Sequence, residues 1–323
     1  MPADPALLLA AGAVADGQTD NSAAFDRVIA ELARRGGGTL AVPDGVFGLG
    51  RTLALPRVVS LELTPGATLR ALPGFQGQAV VLKGSEGNRG AALSYGVIRG
   101  GTIDGGAQDL VGIQVNHACR LEIQDLEVRN ACRKGISVGT TGWYECNVSR
   151  VRCYLEHHVR SSPGSIGVHY EKCGDSFVSA VVIIGYETGL RSDTWSNDIH
   201  QVHVWNHQGN GPLKYCFYCG GWNDSYNQCY ADSPMNGDAP GYGFYVARPH
   251  NRIIAGRVYC NDYATADRVV GVHATDQGTH GTYVGLHFTA REGHAMRLAF
   301  GGNLEGATIL GCTYSNTVNG GKV

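Results

Sequence analysis

Residues 167–195 read GVHYEKCGDSFVSAVVIIGYETGLRSDTW, and they contain the unit that organises the chain. A small residue opens a short strand, Gly167-Val168-His169-Tyr170, and 22 residues later the pattern returns as Gly189-Leu190-Arg191-Ser192. The phrase recurs in both directions. Before it stand Gly112-Ile113-Gln114-Val115 and Gly135-Ile136-Ser137-Val138. After it come Cys216-Phe217-Tyr218-Cys219, Gly243-Phe244-Tyr245-Val246, Gly271-Val272-His273-Ala274 and Ala295-Met296-Arg297-Leu298. Successive anchors are 23, 32, 22, 27, 27, 28 and 24 residues apart. A second strand with period-two alternation follows many of them, as in Ile123–Val128, Val148–Cys153, Ile199–Val204, Tyr283–Phe288 and Ile309–Tyr314. Eight residues after an anchor sit Asp175, Asn197, Asp224, Asn251 and Asn303. Asn and Asp favour tight turns because they tolerate left-handed backbone and bond their own main chain. Two strands, a turn in register and one loop of variable length predict an all-β fold, a single-stranded right-handed parallel β-helix. Each coil of such a solenoid buries its apolar side only against its neighbours.

Composition agrees. Glycine supplies 47 of 323 residues, about double its usual share, without the G-X-Y period of collagen. Hydrophobic residues reach 43% while charged residues stop at 17%, which excludes intrinsic disorder. A net charge of −2 and a pI of 6.6 leave no basic footprint for nucleic acid. No apolar run is long enough to span a membrane, so neither partner is expected. The apolar stretch from Ala6 to Ala15 has no Lys or Arg before it and is not expected to be a signal peptide. That reading places the chain in the cytoplasm, or on a virion, or outside the cell by a non-classical route. The ten cysteines are expected to be reduced core residues.

One β-helix domain is expected over 1–323. It divides into an N-terminal motif with a capping helix (1–50), first coils (51–110), regular coils (111–316) and a tail (317–323). Ala23 to Arg35 carries Phe25, Val28, Ile29 and Leu32 on one helical stripe. Asn21 or Ser22 can cap this helix, Gly36 to Gly38 stop it, and it should cover the open end of the core. The loops Ser161–Ser165, His207–Pro212 and Asp232–Pro240 are expected at one corner, walling a groove.

Residues 12–49 read GAVADGQTDNSAAFDRVIAELARRGGGTLAVPDGVFGL. This resembles the N-terminal motif of the pectate-lyase-like superfamily, roughly G-A-x-G-D-G-x-T-D-(D/N)-T-x-A, a helix, then G-G-G-T-(V/L)-x-x-P-x-G-x-Y. Asp16-Gly17, Thr19-Asp20, Gly36 to Thr39, Pro43 and Gly45 match, and Phe47 stands where Tyr is usual. Gly101-Thr102-Ile103-Asp104-Gly105 is another phrase common in these folds. The resemblance implies a right-handed β-helix and a carbohydrate partner. It leaves the chemistry open, because the superfamily holds lyases, hydrolases, epimerases, fructotransferases and phage tailspikes. Its spike-like members imply a homo-oligomer, often a trimer. The polygalacturonase set of Asn-Thr-Asp, Asp-Asp and Gly-His-Gly is missing, and Glu187 alone stands at the place of the Asp-Asp strand. The Asp-Pro-His-Glu motif of alginate epimerases is missing too.

Strand alternation sends one column outward: Gln114, Ser137, His169, Arg191, Tyr218, Tyr245, His273 and Arg297. Two residues later, Glu171 and Asp193 share a column on successive coils. Stacking at about 4.8 Å puts their carboxyls about 5 Å apart, near the spacing of retaining glycosidases. Such a pair splits its pKa values into an acid and a base. A charge ladder balanced by His169, Arg191 and Lys172 is the plainer alternative. Trp195 and Trp222 share a further column, either as a platform for sugar rings or as an aromatic ladder packing a turn. The first expectation is therefore a glycoside hydrolase with Asp193, Glu171, Glu187 and His169 as catalytic candidates. Arg191, Trp195, Tyr218, Trp222, Tyr245, His273 and Arg297 would bind substrate. A lyase is the second expectation, with His169 or His273 as base, Tyr218 or Tyr245 as acid, and Arg191 or Arg297 as charge neutraliser. A non-catalytic glycan-binding spike or adhesin is the third. No cofactor is expected, and no metal, since no acid–His set has clear ligand geometry. The groove is expected over the coils anchored at Gly167, Gly189, Cys216 and Gly243, with Asp193 near its centre.

Overall fold

The computed structural model describes residues 4–84, 94–139, 143–260, 268–291 and 296–315. The expected anchor Ala295 and the tail 317–323 lie outside them. The described strands form one sheet of 28, and the chain winds as a right-handed parallel β-helix.

Alternation along the strands builds the core. Ile113, Ile136, Val168, Leu190, Phe217, Phe244, Val272 and Phe300 stand in one register, all buried. Phe217 and Phe244 stack at 4.7 Å and 11°. Ile199, Tyr226, Ile253 and Tyr283 form part of a second buried column. The anchors are small because the strand passes close to its own coil and the next one. A Cβ on Gly189 would lie 2.2 Å from Val204 Cγ1 and 2.6 Å from the Cys216 carbonyl.

The coils anchored at Cys216, Gly243 and Gly271 have three strands rather than the expected two, whereas those anchored at Gly112, Gly135 and Gly189 have two. A left-handed residue bends the second strand: Asp125, Arg150, Ala180, Gln201, Gln228 and Ala255, each with φ between 51° and 55°. From Gln228 onward the bend separates two short strands, Ser225–Asn227 and Tyr230–Asp232 in that coil.

The turn column exists, with its register corrected. Ser176 N donates to Asn197 Oδ1 (3.0 Å), Asn197 N to Asp224 Oδ1 (2.9 Å), and Asp224 N to Asn251 Oδ1 (3.0 Å). The left-handed residue is the one before each of these: Asp175, Ser196, Asn223 and His250. Asp175 is therefore the exposed bend rather than a member of the ladder. Asn303 also stands outside it, and its Oδ1 accepts from Glu305 N.

At the N-terminus, Ser22–Arg34 is the capping helix, with Phe25, Val28, Ile29 and Leu32 buried. Asp20 secures its start, accepting from Ser22 N (2.9 Å), Ser22 Oγ (2.6 Å) and Gly50 N (2.8 Å). Asn21 instead ties the incoming chain through Val14 N and the carbonyls of Val14 and Thr19. Asp104 is structural, buried between Arg70 and Arg129. All ten cysteines are unpaired and eight are buried. Among the described residues no helix is long and apolar enough to cross a membrane.

Candidate functional site

The strands Lys134–Val138, Ile166–Tyr170, Thr188–Ser192, Tyr215–Cys219, Gly241–Val246 and Val269–Ala274 form the face that carries the site. Their register aligns Gln114, Ser137, His169, Arg191, Tyr218, Tyr245 and His273 in one outward column, as alternation requires. The next member is Gly301, not Arg297. Arg297 is exposed ahead of the last strand on this face and takes no place in the column.

His169 is the hub. Its Nδ1 lies 3.0 Å from Lys134 Nζ and its Nε2 lies 2.9 Å from Asp193 Oδ2. An ammonium only donates, so Nδ1 accepts and the ring proton sits on Nε2, donated to Asp193. Burial, helped by the Lys134 charge, holds His169 below the ordinary histidine range, and its two carboxylate neighbours pull only partly the other way. It is a neutral imidazole with both nitrogens engaged and a side chain only 10% exposed.

The two carboxylates do not form the expected acid and base. Glu171 Oε1 accepts from Lys134 Nζ (2.7 Å) and Ser137 Oγ (2.6 Å). Asp193 Oδ2 accepts from Arg191 Nε (2.6 Å) as well as His169. Burial raises both pKa values, but these donors outweigh it and leave each carboxyl below its ordinary range. Both are ionised, and His169 stands between them.

Arg191 lies over the Tyr218 ring, its guanidinium carbon 4.5 Å from the centroid. From there an aromatic stack runs along the axis: Tyr218 to Tyr245 at 5.3 Å, then Tyr245 to His273 at 5.3 Å. Tyr215 and Tyr242 stack at 5.6 Å on the same strands. Burial lowers the His273 pKa and raises that of Tyr245. Trp195 and Trp222 bridge adjacent coils, 45% and 54% exposed, and Tyr144 meets Trp195 edge-on at 6.2 Å.

A hollow of about 410 Å³ opens at the C-terminal ends of these strands, with Arg191, Asp193, Tyr218, Trp222, Tyr245 and Arg248 among its walls. Gly220 makes room for the carboxylate, since a Cβ there would lie 2.5 Å from Asp193 Oδ1. A second hollow of about 450 Å³ continues past Tyr245 to His273 and Thr275. The site therefore spans the coils anchored at Gly189, Cys216, Gly243 and Gly271, one coil further along than expected, with Asp193 at its edge.

The other candidates fall elsewhere. Glu171 and His169 are not among the walls. Glu187 stands before the strand that ends near Asp193, about 20 Å away along extended chain. There its Oε2 accepts from Lys214 Nζ (2.8 Å) and Gly164 N (2.9 Å). The loops Ser161–Ser165, His207–Pro212 and Asp232–Pro240 gather at that N-terminal edge, where Ser161 meets Asn210 and Leu213 bridges Met235. They wall the edge opposite the hollow. Lys134, Arg248, Tyr215 and Tyr242 escaped the sequence reading. Lys134, Tyr215 and Tyr242 each immediately precede an anchor, a third outward position that alternation also marks. Among the described residues no group of three His, Cys, Asp or Glu is placed to hold a metal ion.

No protein-family model matches the chain, and no curated protein sequence matches it. Solved structures do. The A-module of mannuronan C-5 epimerase AlgE4 from Azotobacter vinelandii superposes with a TM-score of 0.60 at 14% identity, over 97% of each chain. The tailspike of Escherichia coli bacteriophage HK620, solved with a pentasaccharide, gives 0.63 at 12% identity over 93% of this chain and 63% of its own. The Streptococcus pneumoniae surface adhesin PfbA gives 0.55 at 12%, over 96% and 97%. At such identities the likeness establishes architecture: the chain has the right-handed parallel β-helix fold of the pectate-lyase-like proteins, as its N-terminal motif implies.

Proposed function

We propose that this chain acts on a carbohydrate bearing carboxylate groups and breaks it by β-elimination. The observation that carries the reading is the state of Arg191. Its Nε is held by Asp193, while its terminal nitrogens have no acceptor among the described residues and border the hollow. A guanidinium anchored from behind and presenting a free fork suits a sugar carboxylate. Arg248 adds a second cation to the same wall.

The chemistry follows from what surrounds it. Binding the carboxylate to Arg191 and Arg248 offsets its charge and acidifies the neighbouring C–H. Asp193, ionised beside Arg191 and turning its Oδ1 to the hollow, accepts that proton. The carbon–oxygen bond to the next sugar breaks as the ring double bond forms. Tyr218, against the Arg191 guanidinium, gives its proton to the departing oxygen. Hydrolysis would instead need a protonated carboxylic acid facing the sugar, and both Glu171 and Asp193 are ionised. The AlgE4 module is named for an epimerase of a polyuronate, and the HK620 structure holds an oligosaccharide. Both accord with a carbohydrate partner.

Hydrolysis remains the second reading because Asp193 Oδ1 accepts no hydrogen bond among the described residues and faces the hollow beside Gly220. The test is incubation with a panel of polyuronates and neutral polysaccharides. Ultraviolet absorbance from an unsaturated uronate, lost in Arg191→Gln and Tyr218→Phe, is the expected result. New reducing ends without that absorbance would assign hydrolysis. Retention of intact glycan would assign a binding protein.

A further inference from the structure

The ladder of side-chain amides beneath the hollow contains one acid. Asp224 is fully buried, and its Oδ1 does what an asparagine oxygen does there, accepting from Asn197 N at 2.9 Å. The next rung shows what the other atom should do. Asn251 Nδ2 donates to the carbonyls of Gly221 and Arg248, both at 2.9 Å. One coil back, the equivalent carbonyls belong to Thr194 and Gly221, and the place of Nδ2 is taken by Asp224 Oδ2. A Cβ built on Gly221 would lie 2.2 Å from Asp224 Oδ2 and 2.8 Å from the Thr194 carbonyl, so these atoms share one small space. Asp224 Oδ2 is buried with no hydrogen-bond partner among the described residues. An ionised carboxylate would turn an acceptor toward acceptors. A protonated one would place an O–H where the asparagine places an N–H.

We propose that Asp224 serves in this ladder as a neutral carboxylic acid, and that its ionisation loosens the turn carrying Trp222 beside the hollow. The fold thus holds its aromatic platform in order under acidic conditions and relaxes it as pH rises. This stands apart from the β-elimination reading.

The surroundings agree. Burial pushes the Asp224 carboxyl up to about 6; the Ser192 hydroxyl and Asn197 N–H pull it back only in part, and Asp193 adds to the rise. The other titratable groups against it are Cys219 and Tyr226, both buried and neutral, and no ion pair to Asp224 forms among the described residues. Because the folded-state pKa lies above the unfolded value of 3.8, the native state binds the proton more tightly. Stability therefore falls as pH rises from about 4 to about 6 and levels off above.

The experiment compares Asp224→Asn with the wild type by denaturant unfolding at about pH 4 and about pH 7, taking the difference so that shared histidines cancel. The asparagine supplies the missing N–H at every pH. The ratio of folding constants, variant over wild type, should grow by up to about a hundredfold across that interval, since the carboxyl binds its proton about a hundredfold more tightly in the folded state. Infrared spectra should show a protonated-carboxyl band in the wild type near pH 5 that the variant lacks, and wild-type tryptophan emission should shift with the same midpoint. A pH-independent ratio, or a variant less stable than wild type at pH 7, would overturn the proposal. Should the variant fail to fold, the wild-type infrared titration decides alone, and a band lost with a midpoint near 4 overturns it.

Discussion

Replacing Lys134 with methionine tests the electrostatic order of the site. In the wild type its ammonium donates to Glu171 at 2.7 Å and lies 3.0 Å from His169 Nδ1. Both side chains of the ion pair are about three-quarters buried, at 21% and 24% exposure. Breaking a buried pair by removing one partner costs about 3–5 kcal/mol. Glu171 keeps Ser137 and some solvent, so the cost should fall toward that of one charged hydrogen bond, about 2–3 kcal/mol. The histidine gives the sharper signal. With Lys134 gone, Nδ1 is free to carry a proton and faces Glu171 Oε1 at 3.6 Å, while Nε2 still faces Asp193. An imidazolium between two carboxylates is favoured, so the His169 pKa should move from below 6.5 to above it. The sign of the linkage then reverses. A folded-state pKa below the unfolded value makes the unfolded chain bind more protons, so wild-type stability from His169 rises with pH up to about 6.5. A folded-state pKa above it adds stability at low pH that is lost as pH rises through the new value. Each tenfold change in proton affinity between folded and unfolded chain is worth about 1.4 kcal/mol. Urea unfolding from about pH 5 to pH 8 should show the variant's deficit widening as pH rises, and ring-nitrogen NMR should show His169 leaving its Nε2–H tautomer. A His169 that still titrates below 6.5 in the variant, or a deficit independent of pH, would refute the hub geometry.

Arg191→Lys keeps a charge but loses the two-pronged fork, so cleavage of an acidic polysaccharide should fall about 10- to 100-fold, the worth of one charged hydrogen bond; unchanged turnover would remove Arg191 from substrate binding. Phe217→Ala opens the stacked column with Phe244 and should cost about 3–5 kcal/mol in denaturant unfolding. In the native protein a thiol reagent should reach Cys119 and Cys312 first, and the eight buried cysteines only with denaturant; rapid reaction of more than two would mean that the coils open.

The fold was legible because its strongest constraints are local and repeat. The anchors must be small where the strand crosses Val204 or its equivalents, and the inward positions must be apolar. What slipped was register, and two of the slips share one cause. The sequence pattern anchors the last coil on Ala295-Met296-Arg297-Leu298, but Val272 pairs with Phe300, so the true anchor is Ala299, four residues on. Ala-Met-Arg-Leu and Ala-Phe-Gly-Gly both fit a small-then-apolar rule, and only pairing distinguishes them. The same four residues moved Arg297 into the outward column and Asn303 into the ladder. Asp175 slipped for a different reason. The left-handed bend and the ladder rung are adjacent positions that share a taste for Asn and Asp, and this coil uses aspartate for the bend and Ser176 for the rung. The extra bend at Gln201 and its equivalents left no trace because Asp, Arg, Ala and Gln all occupy it.

The site was legible as a set of neighbours and not as a set of pairs, and the reason is geometric. Coils lie about 4.8 Å apart, and an extended Lys, Arg or Glu side chain reaches at least as far. Each charged group can therefore choose among partners above, below and diagonal to it. Stacking alone coupled Glu171 to Asp193. In the structure Lys134, one coil earlier and five residues nearer the strand's start, reaches diagonally to claim Glu171. Arg191 claims Asp193 within its own coil, and His169 fills the space between the two. Each carboxylate thus has its own cation. The asymmetry that would make one an acid at neutral pH never arises, and the β-elimination reading therefore takes its proton donor from the phenol against Arg191. Among the described residues the one carboxyl whose proton is held more tightly is Asp224, which has no cation there and lies behind the hollow rather than in it. In a solenoid, the supply of cations coil by coil decides which acids can do chemistry, and spacing between acids decides little.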